Sequence, residues 1–203
     1  MSELADRRKE LVASLVKDAI YEAAIEILKT HGVDGLTMER VAETAGVAKG
    51  SLYNHFGNKN ELIEFIYVKT VEPVRLVFDD VVEKNISAVE KLEILLRNWF
   101  DYFTSNRGIF DFLFNNIRII DVADTCKKSY RAEVIKNAAT IFEQGIAEGT
   151  FRHVHTSRAA EMFVGAIITT SEQELHSNEQ RPADESVRTI LDLFLQGLEP
   201  RNA

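Results

Sequence analysis

Apolar side chains recur every three to four positions along almost the whole chain, and the strict alternation of a half-buried strand is almost absent. Only Pro73, Pro182 and Pro200 interrupt the 203 residues. A period near 3.6 puts such side chains on one face of a helix and scatters them on a strand. The chain is therefore expected to be all-α, with about nine helices around packed helix–helix cores. The first is expected over about Asp6–His31, burying Ile20, Ala24, Ile27 and Leu28, with Gly32 at the C′ position. After the Thr37–Lys59 stretch, a long helix should open at Asn58, paired with Glu61 in a capping-box manner. It buries Leu62, Ile63, Ile66 and Val74 and should bend near Pro73 on its way to about Lys84. Further helices are expected at about 87–105, 109–121, 127–148, 157–177 and 184–198, separated by polar or glycine-bearing breakers.

The stretch from Thr37 to Lys59, T-M-E-R-V-A-E-T-A-G-V-A-K-G-S-L-Y-N-H-F-G-N-K, reads as two short helices joined at Gly46. Thr37 is a good N-cap, and Val41, Ala42 and Ala45 share a face. Val47 can plug the small core, while Leu52, Tyr53 and Phe56 form the next apolar set. Lys49, Ser51, Asn54 and His55 are left pointing outward, and all can donate hydrogen bonds. This is the arrangement that lays one helix in the major groove of DNA.

Charge narrows that reading. The whole chain carries -8, which disfavours a protein that coats nucleic acid without regard to sequence. Residues 1–60 hold eight Lys/Arg against nine Asp/Glu, net -1, leaving -7 for the other 143. Within 44–60 there is no acid, while Lys49, His55 and Lys59 remain. A small cationic patch on a near-neutral domain suits a modest DNA contact. A domain boundary is expected inside the long helix, giving a DNA-binding domain at 1–60 and a helical bundle at 61–203.

Other classes find little support. One cysteine, Cys126, excludes an intramolecular disulfide and a cysteine-rich metal site. The N-terminus M-S-E-L-A-D-R-R-K-E lacks a signal-peptide apolar core, and the run Met162–Ile168 is far too short to span a membrane. A cytoplasmic protein with no membrane partner is expected. His153 and His155 form an H-x-H pair without an evident third ligand, so no metal and no cofactor are expected. No nucleophile elbow or phosphate-cradling glycine motif occurs, so the chain is not expected to be an enzyme.

The first sixty residues closely resemble the tetracycline-repressor (TetR) family of bacterial transcription regulators. The resemblance is carried by G-V-D-G-L-T, M-E-R-V-A-E-T-A-G-V and K-G-S-L-Y-N-H-F-G-N-K followed by E-L; the segment L-Y-x-H-F-x-x-K at Leu52–Lys59 is its most specific part. E-G-T-F-R at 148–152, with A-A-E-M-F beyond it, resembles the family's junction before its dimer helices. The resemblance implies a three-helix helix-turn-helix domain followed by a ligand-binding and dimerisation bundle. It places Lys49, Gly50 and Ser51 where the family's recognition helix meets base edges, with Asn54 beside them. Tyr53, His55, Lys59 and Thr37 match positions that touch phosphates. Lys59 and the N–H groups of a helix N-terminus are expected to form a phosphate seat.

Seven of the chain's eighteen aromatics fall between Trp99 and Phe114. They are either plain core or the wall of the apolar effector cavity that the resemblance implies, because both uses need the same chemistry. Trp99, Phe103, Phe110, Phe114, Ile117 and Phe163 are the candidate effector residues, with Asn115, Asn116, Arg118 and Tyr130 as polar candidates. Two stripes, Ala159, Ala160, Phe163, Ala166, Ile167, Thr170 and Val187, Ile190, Leu191, Phe194, Leu195, would form a four-helix homodimer interface. The expectation is a ligand-responsive regulator, a repressor that binds a near-palindromic double-stranded DNA operator as a homodimer and is released by a small apolar effector. The alternative is a helical small-molecule carrier or enzyme that keeps the fold without binding an operator.

Overall fold

The computed structural model describes the backbone of residues 2–115, 124–177 and 181–198, and the side chains of 4–114, 127–177 and 181–198. Among these residues it is all-helical: α1 Ser2–Gly35, α2 Met38–Thr44, α3 Lys49–His55, α4 Lys59–Glu83, α5 Ala88–Ser105, α6 Arg107–Asn115, α7 Asp124–Ala147, α8 Thr156–His176 and α9 Ala183–Leu198. No described helix is long and apolar enough to cross a membrane. Asn116, Ile117 and Arg118 lie outside the described residues, as do the side chains of Asn115 and Cys126.

The chain divides into two compact units. One comprises residues 1–70 with 112–124, the other 71–111 with 125–203. In the first, α1 begins earlier than its apolar pattern suggested and is interrupted at Gly32, whose φ of 63° and ψ of -166° leave the helix as a C′ glycine does. Ile20, Ala24, Ile27 and Leu28 are buried as the periodicity required. Phe65 of α4 packs against Phe56 with ring centroids 5.0 Å apart and edge-on to Tyr21 at 6.4 Å. The Tyr21 hydroxyl meets Thr70 Oγ1 at 3.1 Å, and Lys69 pairs with Asp18.

Helix α4 continues through Pro73 to Glu83. In the second unit α5 packs on α8 and α9, which also pack on each other. Helix α5 starts on a true capping box: Ser87 accepts from the Glu90 amide and Glu90 accepts from the Ser87 amide. Glu148 supplies a further acceptor, taking the Ala88 amide at 3.1 Å. The ends of α8 and α9 are closed by arginines that donate to their last carbonyls, where the helix dipole favours a cation. Arg107 bonds the carbonyl of Glu174, and Arg152 Nε bonds that of Gly197 at 2.8 Å.

Two aromatic clusters fill this unit. Phe110 contacts Trp99, Tyr102 and Phe103 at 5.6, 5.9 and 5.3 Å. Phe142 gathers Phe151, Phe163 and Phe194 at 6.0, 5.9 and 6.5 Å. The buried indole N–H of Trp99 donates to Ser171 Oγ at 2.8 Å, and that hydroxyl donates to the Ile167 carbonyl, so neither polar atom goes unpaired.

Helix α7 ends in a Schellman motif. Gly149 (φ 74°) bonds the carbonyl of Ile146, and Thr150 that of Gly145. This returns the chain so tightly that a Cβ on Gly145 would lie 2.1 Å from Phe151 Cδ2 and 2.8 Å from its Cγ. Helix propensity alone would favour alanine at position 145 by up to ~1 kcal/mol. The buried Phe151 ring would have to move, an overpacking cost of about 1–3 kcal/mol. Gly145→Ala should therefore lower stability in urea denaturation, and Phe151→Leu in the same chain should recover part of the loss. A Gly145→Ala protein more stable than the parent would contradict this account of the turn.

Candidate nucleic-acid interface

The first unit presents a helix-turn-helix whose angle is set by backbone bonds. Helix α2 starts at Thr37, extended at φ -119° and ψ 152°, whose Oγ1 accepts the Arg40 amide at 3.2 Å. As an acceptor that hydroxyl keeps its own hydrogen for another partner. Arg40 Nη1 reaches back to the Gly35 carbonyl at 3.1 Å, tying α2 to the end of α1. Helix α2 then ends in a second Schellman motif: Gly46 bonds the carbonyl of Glu43 at 3.1 Å and Val47 that of Ala42 at 3.0 Å. Gly46 has φ of 65°, the left-handed region that costs an L-residue with a Cβ.

Helix α3 buries Leu52, and Phe56 follows it into the core, as expected. Tyr53 does not join that apolar set. It is 42% exposed, because position i+1 on a helix turns about 100° away from the buried face. Lys49, Gly50, Tyr53 and Asn54 are exposed together, with Ser51 and His55 half-buried beside them. A Cβ built on Gly50 meets nothing within 4 Å, so the surface there is open.

The cationic patch is more constrained than its acid-free sequence implied. Lys49 Nζ pairs with Glu39 Oε1 of α2 at 2.5 Å and stands 6.0 Å from the centroid of the Tyr53 ring. The hydrogen bond from Lys49, more than its charge, holds the Glu39 carboxyl below its ordinary value and raises the Lys49 ammonium above its own. The pair is lost only as pH falls through the lowered glutamate value or rises through the raised lysine value, so it persists across the neutral range.

The phosphate seat expected at Lys59 is closed in this structure. Asn58 Oδ1 takes the amides of Asn60 and Glu61 at 2.9 and 3.1 Å. The Glu61 carboxylate accepts from the Gly57 amide at 2.8 Å and from Asn58 Nδ2 at 2.9 Å. The capping pair read from the sequence therefore exists, and it occupies the Asn60 and Glu61 N–H groups at the start of α4. Lys59 itself is half-buried at the first position of α4.

Of the six candidate effector residues, the four in the second unit fall into two clusters. Trp99, Phe103 and Phe110 share one cluster, and Phe163 sits in the other, beside Phe142 and Phe194. Phe114 is half-buried and belongs to the unit of residues 1–70, while Ile117 lies outside the described residues. Tyr130 donates to the Val71 carbonyl at 3.0 Å. Of the two dimer stripes, Ala160, Phe163, Ile167, Val187 and Ile190 are buried within the unit itself. What α8 and α9 leave outside is a groove of about 370 Å³ holding Met162 and Leu193, 69% and 67% exposed, beside Arg152, His155 and Arg158.

Residues 20–66 match the family model for bacterial regulatory proteins of the tetR family, the same segment that carries this helix-turn-helix. That segment is a tetR-family domain. The chain is 32% identical over 106 residues to IcaR, the negative transcriptional regulator of the icaADBC biofilm operon in Staphylococcus epidermidis, an alignment covering 52% of this chain. This chain spans about half of that relative's length, 48%. A solved candidate fatty acid metabolism regulator from Clostridium perfringens is 26% identical, with a TM-score of 0.72 over 90% of this chain and all of its own. The transcriptional regulator FadR of Bacillus subtilis, solved with stearoyl-CoA, shares the fold at 20% identity and a TM-score of 0.72, covering 89% of this chain and 98% of its own.

Gly46→Ala isolates the turn, since a Cβ there meets nothing within 4 Å and only the left-handed backbone is penalised. It should cost about 1–2 kcal/mol in chemical denaturation. Gly46→Asn should cost less, because asparagine tolerates that region better; equal losses would point to a cause other than φ.

Proposed function

We propose that this protein is a transcriptional repressor that binds a near-palindromic DNA operator as a homodimer. The observation that carries the reading is the surface of α3. Lys49 and Tyr53 on one row, and Gly50 and Asn54 on the next, are exposed together on a helix whose angle to α2 is fixed at Gly46. Lys49 is placed to donate to guanine acceptors or phosphate, Ser51 and Asn54 to base edges, and Tyr53, His55 and the Thr37 hydroxyl to phosphates. Lys59 contributes its side chain alone, given the cap formed by Asn58 and Glu61.

Dimerisation is assigned to the groove of α8 and α9, whose exposed Met162 and Leu193 would be covered by a second copy. Symmetry would then set two α3 helices in successive major grooves, roughly 34–36 Å apart. The effector is proposed to be apolar and to bind in the aromatic bundle, tilting α4 and biasing the dimer away from the DNA-fitting spacing. FadR holds stearoyl-CoA, which makes a long acyl chain the first effector class to test. A DNA-binding domain at 1–60 and a bundle at 61–203 remain the proposed division of labour.

Gel-shift titration on DNA upstream of its own gene should show tight, salt-sensitive binding. Lys49→Ala and Tyr53→Phe should each weaken it roughly tenfold, the lysine change also lowering the log–log salt slope by about one per subunit. Dimerisation and helicity should be unaffected; binding that neither change touches would remove the assignment. Gly50→Ala offers an independent check. The open space should let the folded protein gain up to ~1 kcal/mol from helix propensity, yet operator binding should fall severalfold because the methyl group faces DNA. A variant that binds as tightly as the parent would remove close backbone approach from the scheme.

A further inference from the structure

The acid-free window at 44–60 suggested an unopposed Lys49, but the fold brings Glu39 from the preceding helix onto it. The lysine is held on two sides, by the carboxylate at 2.5 Å and by the Tyr53 ring at 6.0 Å. Both members of the pair are solvent-exposed, at 58% and 61%, so it contributes little to folding. Its position is the unusual part. It lies beside the row of donors on α3, where an acid works against attraction to a polyanion.

We infer that Glu39 is a specificity-determining residue that acts through Lys49, competing with DNA for the ammonium group. This inference rests on the proposed DNA-binding role of α3. A passing phosphate offers diffuse attraction and must displace an intramolecular partner already within bonding distance. A correctly placed base acceptor offers a directed bond and can take the lysine over. In either complex the Glu39 carboxylate stands near phosphates, a cost that only a directed bond to Lys49 offsets. Glu39 therefore suppresses binding to unrelated duplex more than binding to the operator, a device that works by weakening the wrong complex. Among the described residues no acid of α2 pairs with Lys59, so the competition falls on the proposed base reader.

The test uses the full-length protein and two probes: a duplex enriched by the wild type from a random-sequence library, and a scrambled version of it. Glu39→Gln should leave thermal stability and helicity unchanged. It should raise affinity for the scrambled duplex by roughly fivefold at low salt and steepen the salt slope by up to about one per subunit. The enriched duplex should gain less, so the ratio between the two falls. In a Lys49→Ala background the same change should raise both duplexes alike and leave their ratio unchanged, because the residue through which it discriminates is gone. A ratio that still falls in that background would overturn the inference, as would weaker binding to both duplexes, which would make Glu39 a direct contact. If the wild type enriches no duplex at all, the DNA-binding reading itself falls, and this inference with it.

Discussion

The left-handed turn at Gly46 is the constraint on which the surface proposed to face DNA depends. Two backbone bonds, from Gly46 to Glu43 and from Val47 to Ala42, end α2 and aim α3. Because they are main-chain bonds closed by a φ of 65°, the angle between the helices is decided before any side chain meets DNA. Leu52 and Phe56 then lock α3 to the core, which fixes which of its side chains face outward. Arg40, bonded to Gly35, does the same for α2 against α1.

The electrostatics follow from that geometry. A chain of net charge -8 approaches a polyanion only through a local exception, and the exception here is small and partly neutralised within the protein. Lys49 is engaged by Glu39 and Lys69 by Asp18, while Asn58 and Glu61 occupy the amides at the start of α4. Such a surface gains little from sheer positive charge. It suits recognition by directed bonds repeated by symmetry, which fits the proposed dimeric repressor better than a nonspecific DNA binder.

The bundle is built on another principle. Its interior is aromatic, and the few polar groups inside it are paired: Trp99 with Ser171, Lys91 with the Val82 carbonyl, Ser186 with Glu174. Arginines at the ends of α8 and α9 satisfy carbonyls that helices leave open. Met162 and Leu193 remain as large apolar side chains on the outside of these helices. The same two helices thus contribute to the unit's own core on one face and to the proposed subunit contact on another.

Much of this was legible in the sequence because it depends on spacing alone. Helical period, the glycine at the α2–α3 turn, the Asn58–Glu61 cap and the family signature are local patterns, and local patterns survive without coordinates. Spacing groups Tyr53 with Leu52 and Phe56 while the family resemblance gives it a phosphate contact, and only the helix phase turns it outward. The partner of Lys49 could not be read from a window that stops at position 44, although Glu39, in the first turn of α2, is within reach across a helical hairpin. The division of the aromatics into two clusters, and the burial of five residues of the dimer stripes inside one unit, depend on which helices pack together. A one-dimensional pattern says that a face is apolar, and only tertiary structure decides what covers it.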